Sequence, residues 1–310
     1  MKNTIIKLCD NLNEAIHNPL FHNFYNIPNE LKYNQTFTAI DLIEDSHIAI
    51  KEFKNLKTIG VNGRSTLLIY GLLQSFFLQQ DGLYHLYKCV VNDRISQTDF
   101  FDLFSFNIKI REVRNDIAGH PTNRNKTEFY FIAKGVTTKY RFTYAGYTPN
   151  FRKVEVDLKL FISEQIEFSK KVLQFVIDDI TSKIEMKKNE HKKTQLNEMM
   201  IGTNRNIQLI HRGIRDYQRS FQGEIGILGI KNSLKEIKNE LNLRYNDNLP
   251  IGVLEVFRIT DYIMKRFSEW QYENSFLGND DAEIFLYSLE NQMTELEEML
   301  NEIDEEFNNK

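Results

Sequence analysis

Cysteine is scarce in this sequence, which contains only Cys9 and Cys89 among 310 residues. Two thiols cannot complete the four-ligand site that structural zinc prefers, and both lie in apolar, helix-like surroundings, so we interpret them as reduced core residues. Long hydrophobic runs are also absent, since no stretch approaches the roughly 20 uninterrupted apolar residues of a membrane span. The first residues lack the basic and apolar segments of a secretory signal. We therefore expect a cytoplasmic protein that does not contact a membrane.

Motifs that would hold a cofactor or a metal are missing as well. There is no glycine-rich loop for phosphates, no nucleophile elbow and no helical His-Glu-x-x-His pair. Four histidines have no partner at the spacing of metal ligands, and we interpret them as structural or exposed residues: His17, His22, His47 and His191. The sequence therefore implies neither a cofactor nor a metal.

Charge is distributed unevenly, although the net charge is only -4. Between Lys109 and Lys153, ten Lys and Arg residues accompany three acids, a local balance of +7. From Asp280 to Lys310, eleven acids accompany one lysine, a balance of -10. This asymmetry indicates that the middle of the chain meets an anion. The acidic end either covers that basic segment and restrains its activity or is a solvated helix face.

The N-terminal part is predicted to be built around one long helix. From Ser65 to Val91, apolar residues cover most of the circumference of a helix, which is typical of a helix in the middle of a core. Polar residues at helical spacing share one face of it: Gln74, Asp81, His85 and Lys88. This strip either lines a cleft or forms a solvated edge.

A further helix is predicted to end shortly before the segment that carries the chemistry. Thr98 and Asp99 can cap this helix, and it is expected to end at Ala118. Gly119 fits the left-handed position just after a helix, and Pro121 cannot continue one.

Three runs of alternating apolar and polar residues follow at about 126–160. Alternation with a period of two is typical of half-buried antiparallel strands. The third run extends to Leu160, and turns near Gly135 and Pro149 join the runs into a small meander. The predicted fold class is therefore α+β, mainly α.

The charge-rich residues 187–193 lack apolar anchors. We place a boundary there, between an N-terminal domain (1–190) and a helical C-terminal domain (191–310). The same run is equally compatible with the exposed continuation of one long helix.

The C-terminal helices are predicted to be interrupted at Gly202, at Gly223–Gly229 and at Pro250. The final, acidic helix has apolar residues at alternating steps of three and four, which is a short heptad seam: Leu286, Leu289, Met293, Leu296, Leu300, Ile303 and Phe307. This seam packs against a helix of the same chain or against a second subunit. The former is favoured because short coiled coils are marginal alone.

One short segment carries a recognisable pattern of reactive side chains. Arg114-Asn115-Asp116-Ile117-Ala118-Gly119-His120 contains Arg and Asn, four further residues and His. This pattern resembles the signature of HEPN domains, small helical bundles in which Arg and His are separated by about four to six residues on a late helix or at its end. The resemblance covers about residues 40–180, with the strands as a β-meander insertion, and gives no support beyond residue 190.

The resemblance implies a metal-independent endoribonuclease that cleaves RNA through attack of its own 2′-hydroxyl. Arg114 would stabilise charge on the phosphate, for which the fixed donor fork of arginine is suited. His120 would transfer a proton, as histidine does near neutral pH. Asn115 and Asp116 would orient one of these two residues.

The spacing of the motif sets a geometric requirement. Six residues along an α-helix turn the chain by roughly 600°, so a continuous helix would leave Arg114 and His120 about 120° apart. We expect Gly119 to reverse the backbone and Pro121 to hold His120 in an extended conformation, so that the histidine swings back toward Arg114.

RNA is the expected partner of the basic side chains around the motif. The candidate RNA-binding residues are Lys109, Arg111, Arg124, Lys139 and Arg141. On the strand that begins near Lys139, the interleaved Tyr140 and Tyr144 either stack bases or belong to the core.

One histidine cannot easily serve both the attacking and the leaving oxygen. HEPN domains pair so that two motifs face each other, and by that resemblance we expect a homodimer with a composite cleft or a second motif within the chain. Arg205 and Asn206, followed by four residues and His211, repeat the spacing. This echo is either a coincidence within a packed helix or part of a second, diverged bundle.

The resemblance further implies a toxin or an anti-phage effector, with an antitoxin or another regulatory protein as an additional partner. Two alternatives remain open. The chain is otherwise a non-catalytic RNA- or nucleotide-binding module, or a helical protein-interaction partner. For the motif itself, the alternative interpretation is that Arg114 and His120 cap the end of a helix, where cations are favourable.

Overall fold

A computed structural model describes residues 4–18, 20–21, 30–60, 63–133, 138–147 and 150–308. His22 and the predicted turns at Gly135 and Pro149 lie outside these ranges. Within them, no helix combines the length and the apolar character that crossing a bilayer requires. The chain divides into two compact units, Met1–Ser182 and Lys183–Lys310.

The first unit contains six α-helices within the described residues and is mainly helical, as predicted. The helices are α1 (Thr4–Ile16), α2 (Glu30–Asn55), α3 (Gly63–Val90), α4 (Gln97–Leu103), α5 (Lys109–Arg114) and α6 (Leu158–His191). Helix α3 is the predicted central helix, and it packs along α2. At Gly82 the two helices come so close that an added Cβ would lie 3.0 Å from the Ala39 carbonyl oxygen.

The helix predicted to run to Ala118 is broken into α4 and α5. Ser96, rather than Thr98 or Asp99, caps α4: its hydroxyl accepts the Asp99 N–H at 3.1 Å and donates to the Asp99 carboxylate at 2.6 Å. Ser96 therefore satisfies one of the free N–H groups at the start of the helix. The break between the helices includes Ser105, whose φ of 52° cannot continue a right-handed helix.

The predicted meander is a three-stranded antiparallel sheet in the order β1 (Phe129–Ile132), β2 (Arg141–Tyr147) and β3 (Phe151–Asp157). The third strand ends earlier than predicted, because the Asp157 carboxylate accepts the N–H groups of Lys159 and Leu160. This cap starts α6, so Leu160 belongs to a helix.

One face of the sheet packs on the helices. Tyr130, Phe142, Tyr144 and Val156 from the three strands join the buried cluster that includes Phe76 of α3. Tyr144 is therefore a core residue, and Tyr140 packs against the same cluster. Of the two interpretations of these tyrosines, the core assignment is the one observed.

The two units meet within α6, between Ser182 and Lys183. The helix continues to His191, so most of the charge-rich segment forms its last turns. The predicted boundary at 190–191 lies at the end of this helix, eight residues after the division between the two units.

The second unit consists of α7 (Thr203–Arg215), α8 (Ser220–Tyr245), α9 (Ile251–Tyr272) and α10 (Asp280–Asn308), with short 3₁₀ segments at Asn197–Met200 and Tyr217–Arg219. Gly202 and Pro250 precede helices, as predicted. The predicted interruption at Gly223–Gly229 is wrong, because α8 runs through it. The glycines instead allow α7 to approach: a Cβ on Gly226 would lie 2.5 Å from the Asn206 carbonyl oxygen.

The heptad seam of α10 is buried inside this unit. All seven seam residues are buried, and α10 contacts α9 and α7. The intrachain alternative therefore accounts for the seam.

Candidate functional site

The motif lies on a helix that changes its winding. After α5, residues Asn115–Gly119 form a single π-helical turn, in which the His120 N–H donates to the Asn115 carbonyl at 2.9 Å. Such turns are rare and occur frequently at functional sites. The predicted helix end at Ala118 is therefore wrong by one residue, and the chain leaves the helix at His120.

Gly119 does not reverse the backbone, but it lies close to the side chain of Arg114. Among the described residues the glycines with positive φ are Gly60, Gly202 and Gly278, so the predicted left-handed conformation of Gly119 is wrong. A Cβ at Gly119 would lie 2.9 Å from Nη1 of Arg114. The residue before His120 thus lies directly against the guanidinium.

The Arg114 guanidinium is held on three sides. Its Nε and Nη2 donate to the Gln74 Oε1 at 3.2 and 3.0 Å, and its Nη1 donates to the Asn115 Oδ1 at 3.0 Å. Its carbon Cζ lies 3.9 Å from the centre of the Phe77 ring. Since a guanidinium has five N–H groups, one N–H on each Nη remains without a hydrogen bond to the described residues.

Asn115 joins the two predicted catalytic residues. Its side chain holds Arg114, and its backbone carbonyl holds the N–H of His120. An orienting role for Asn115 is thus compatible with its contacts.

Arg111 lies beside Arg114 on the same aromatic ring. Its Nη1 donates to Asp81 at 3.0 Å and to Gln80 at 3.2 Å, and its Cζ lies 4.1 Å from the centre of the Phe77 ring. Arg111 is therefore already paired, which makes it a support for the site rather than a free cation.

The two arginines influence each other electrostatically. Partial burial, followed by the positive charge of Arg111, lowers the pKa of Arg114, whereas Asp81 raises it. Arginine keeps its charge despite such a shift. The site is therefore a fixed positive centre in partly desolvated surroundings, where its attraction for an anion is stronger than in water.

Buried glutamines extend the support into the helical bundle. Gln80 donates to Gln165 at 2.8 Å, Gln165 donates to Gln79 at 3.0 Å, and Gln79 donates to the Ile43 carbonyl at 3.2 Å. All three side chains are completely buried. The amides thus form a chain from α2 through α3 and α6 to Arg111.

Asp116 faces the sheet. Its Oδ1 accepts Nε of Arg124 at 3.1 Å, and its Oδ2 accepts the Tyr144 hydroxyl at 3.0 Å. Burial, then the Asp116 charge, raises the pKa of Tyr144, which keeps this hydroxyl a donor. Two residues predicted separately as catalytic and RNA-binding, Asp116 and Arg124, therefore bind each other and fix the motif to the sheet.

The remaining candidate RNA-binding residues are not gathered at one place. The Lys139 ammonium donates to the Lys54 carbonyl at 2.7 Å near the end of α2, and Arg141 lies 3.8 Å from Glu155 in an exposed pair. Lys109 is exposed at the start of α5, and its side chain has no hydrogen bond or ion pair within the described residues. Of these three, Lys109 is nearest in sequence to the motif.

The His120 side chain is exposed at the end of the π turn and makes no hydrogen bond to another described side chain. Its φ of -136° is extended, but its ψ of 52° lies short of the extended region that Pro121 was expected to impose. The Pro121 carbonyl instead accepts the Tyr130 N–H at 2.7 Å, which ties the loop after His120 to β1.

The second Arg-Asn-His echo lies on α7, where Arg205 is exposed while Asn206 and His211 are half-buried. The helix is α-helical throughout, without a π turn. Asn206 lies directly against Gly229 of α8. The π turn that brings Gly119 against Arg114 in the first motif thus has no counterpart in this described helix.

Sequence reasoning missed most of the residues that hold the motif in place. Gln74 and Asp81 belonged to the predicted polar strip of α3, so their spacing was the available signal. Phe77 lies between them on the same helical face, but an aromatic residue in an apolar helix looks like any other core residue. His85 of the same strip is exposed.

Comparison of the chain with protein-family models, curated proteins and solved structures found no match. Within the described residues, no group of three or more His, Cys, Asp or Glu side chains is arranged to hold a metal ion.

Proposed function

We propose that the chain is an endoribonuclease that cleaves RNA without a metal, with Arg114 and His120 as catalytic residues. The orientation of Arg114 carries this proposal: Gln74, Asn115 and Phe77 hold the guanidinium and leave two N–H groups for a phosphate. An arginine that merely capped a helix would donate to backbone carbonyls. The hydrogen bonds of Arg114 go to two side-chain amides instead.

The reaction requires two proton transfers and stabilisation of the charge that develops on the phosphate. The 2′-oxygen attacks phosphorus and the bond to the 5′-oxygen breaks, which yields a 2′,3′-cyclic phosphate and a 5′-hydroxyl. The 2′-hydroxyl must lose its proton, and the leaving 5′-oxygen must gain one. His120 serves one of these transfers, and Arg114 neutralises charge on the non-bridging oxygens.

The proposal includes a homodimer, because one histidine serves only one of the two transfers. A second copy of the chain would supply a second His120 across a shared cleft. The segment from Arg205 to His211 is the weaker source of a second histidine. It lies on an uninterrupted helix, on which the side chains of Arg205 and His211 point about 120° apart around the axis.

The biological setting follows from the family resemblance alone. We expect a cytoplasmic toxin or anti-phage effector that an antitoxin or another regulatory protein restrains.

Cleavage of mixed RNA in excess EDTA tests the proposal. Wild type should cleave, and His120→Ala and Arg114→Ala should each lose about 10²- to 10⁴-fold in rate. His85→Ala, which removes an exposed histidine outside the motif, is the matched control and should keep full activity. Binding without cleavage by wild type would instead favour a non-catalytic RNA-binding module, and loss of cleavage on chelation would refute the metal-free mechanism.

The source of the second histidine is tested separately. Sedimentation should show a dimer. Mixing His120→Ala with Arg114→Ala subunits should produce hybrid dimers whose rate of RNA cleavage differs from that of either parent variant. His211→Ala should cleave like wild type. A strictly monomeric active enzyme that requires His211 would overturn the homodimer.

A further inference from the structure

The sheet presents a face of exposed aromatic rings on the side opposite the core. Phe129, Phe131, Tyr147 and Phe151 are each about half exposed, between 49% and 52%. They alternate with the inward residues of their strands, so all four point to the same side. We call these four residues the aromatic face.

The strand register brings three of these rings into one row. Phe129 pairs with Tyr147, and Tyr147 pairs with Phe151, so one ring stands on each strand. The rings of Tyr147 and Phe151 are 5.4 Å apart between centres. With neighbouring strands about 4.8 Å apart, the row spans roughly 10 Å. Phe131 lies in the next row, which also contains Lys153.

The face continues directly into the proposed catalytic segment. Phe129 and Phe131 flank Tyr130, whose N–H donates to the carbonyl of Pro121, the residue after His120. Strand β1, which carries two of the four rings, is thus hydrogen-bonded to the loop that carries the histidine. Phe129 and Phe131 are therefore carried by a backbone segment that lies next to the segment carrying His120.

Beside the Arg141–Glu155 pair, whose charges offset each other on the same side of the sheet, two exposed lysines are available to an anionic ligand. Lys126, at the tip of the turn that leads into β1, and Lys153 are exposed and have no ion pair within the described residues. The nearby Glu128 accepts hydrogen bonds from Asn125 and from the Tyr130 hydroxyl, which reduces its availability. Exposed aromatic rings beside free cations are the combination with which proteins hold unpaired bases and their phosphates.

We propose that the aromatic face is a stacking platform for the bases of single-stranded RNA, a substrate class that rests on the proposed ribonuclease function. Bases that stack on these side chains must be unpaired, because the faces of the bases in a duplex are already covered by adjacent bases. The platform selects loops and single strands over duplex RNA and delivers the adjoining phosphate to the motif.

The test measures binding separately from cleavage. The probe is a labelled 12-nucleotide single strand of 2′-O-methyl RNA, which lacks the attacking hydroxyl, and its affinity is measured by fluorescence anisotropy. Phe131→Leu and Phe151→Leu keep apolar bulk but remove the ring. Each should weaken binding roughly 5- to 150-fold. Tyr147→Phe, which keeps a ring, and Tyr287→Leu, which removes an exposed ring on α10, should bind like wild type.

The outcomes distinguish the two proposals. Wild-type affinity in both leucine variants overturns the platform, and so does equal binding of the matching duplex. Leucine variants that alter sedimentation of the free protein but not affinity for the probe would show an interface between two copies, which also overturns it. Ring-dependent binding without cleavage of unmodified RNA supports the platform and refutes only the ribonuclease.

Discussion

The guanidinium of Arg114 lies so close to Gly119 that any side chain there would displace it. A methyl group there would contact Nη1 at 2.9 Å and the Asn115 Oδ1 at 3.3 Å, and both atoms belong to the same hydrogen bond. Gly119 therefore affects the site by allowing the Arg114 guanidinium to occupy its present position. Its contribution is geometric and does not depend on backbone freedom.

Substitution of Gly119 tests this geometry. Gly119→Ala should reduce the rate of RNA cleavage roughly 100-fold, because a displacement of about 1 Å suffices for such a loss. Single-turnover rates provide the measurement. Gly71→Ala is the control, since a Cβ there meets open space on α3 and should leave the rate unchanged while slightly raising the melting temperature. A fully active Gly119→Ala would show that the guanidinium tolerates the shift.

His47, buried in α2, makes stability depend on pH. Burial, then Lys51 and Lys54, lowers the pKa of His47 to about 4. Below about pH 6.5 the unfolded chain binds a proton that the folded chain refuses, so stability present above that pH is lost as the pH falls toward 4. The free energy of unfolding should fall by on the order of 3 kcal/mol across this window. Urea titrations at pH 7, 5.5 and 4.5 measure the slope, which His47→Gln should flatten.

At the level of helices and strands, the periodicity of apolar residues predicted those elements that bury one side against a core. The long helix α3, the meander and the seam of α10 each follow from a repeat of apolar residues that a core enforces. The π turn at Asn115–Gly119 could not be predicted in this way, because one shifted backbone hydrogen bond leaves no periodic trace. The pairing of Asp116 with Arg124 was missed for a similar reason, since it depends on how the sheet folds back.

Glycine in α8 shows how the same residue type can mislead. Glycines usually mark breaks, but here Gly223, Gly226 and Gly229 form one stripe along a continuous helix. Neighbouring α7 lies against that stripe. The signal for contact was the spacing of three residues, which places them on one helical face.

The stripe gives a stability prediction. Gly226→Ala should destabilise the second unit by about 1–3 kcal/mol, because its Cβ would overlap the Asn206 backbone, and this outweighs the better helix propensity of alanine. Thermal unfolding measures the change. Gly252→Ala, where the nearest atom is the flexible end of Met299, should be nearly neutral. Equal effects of both substitutions would argue against close helix packing.

The chain divides into two compact units, and each of them has buried polar side chains of its own. In the second unit, Arg244 is completely buried, donates to Asp304 at 2.9 Å and to Glu240 at 3.2 Å, and also donates to the Thr194 carbonyl. Its Cζ lies 4.7 Å from the centre of the Phe307 ring. This arginine joins α8, α10 and the segment before α7, whereas the proposed catalytic residues belong to the first unit.

Removal of the Arg244 charge should therefore separate stability from activity. Within the described residues, Arg244→Met removes the only cation bound to the buried Asp304, which keeps just the Asn197 N–H, and leaves Glu240 with His191 alone. It should destabilise the second unit by about 3–5 kcal/mol. Calorimetry should show one lowered transition, while RNA cleavage at 20–25 °C stays at the wild-type rate. Arg258→Met, which removes an exposed pair with Glu255, should change neither. Loss of cleavage in Arg244→Met at temperatures where it remains folded would mean that the second unit contributes to the reaction.

The buried amides behind Arg111 also constrain how this protein can diverge. Gln79, Gln80 and Gln165 satisfy one another, so replacing any one of them leaves a neighbouring amide unsatisfied inside the core. A lineage can abandon the arrangement only by exchanging several positions together for apolar residues. In related sequences these three sites should accordingly covary. The covariation would extend to Arg111, because Arg111 donates a hydrogen bond to Gln80.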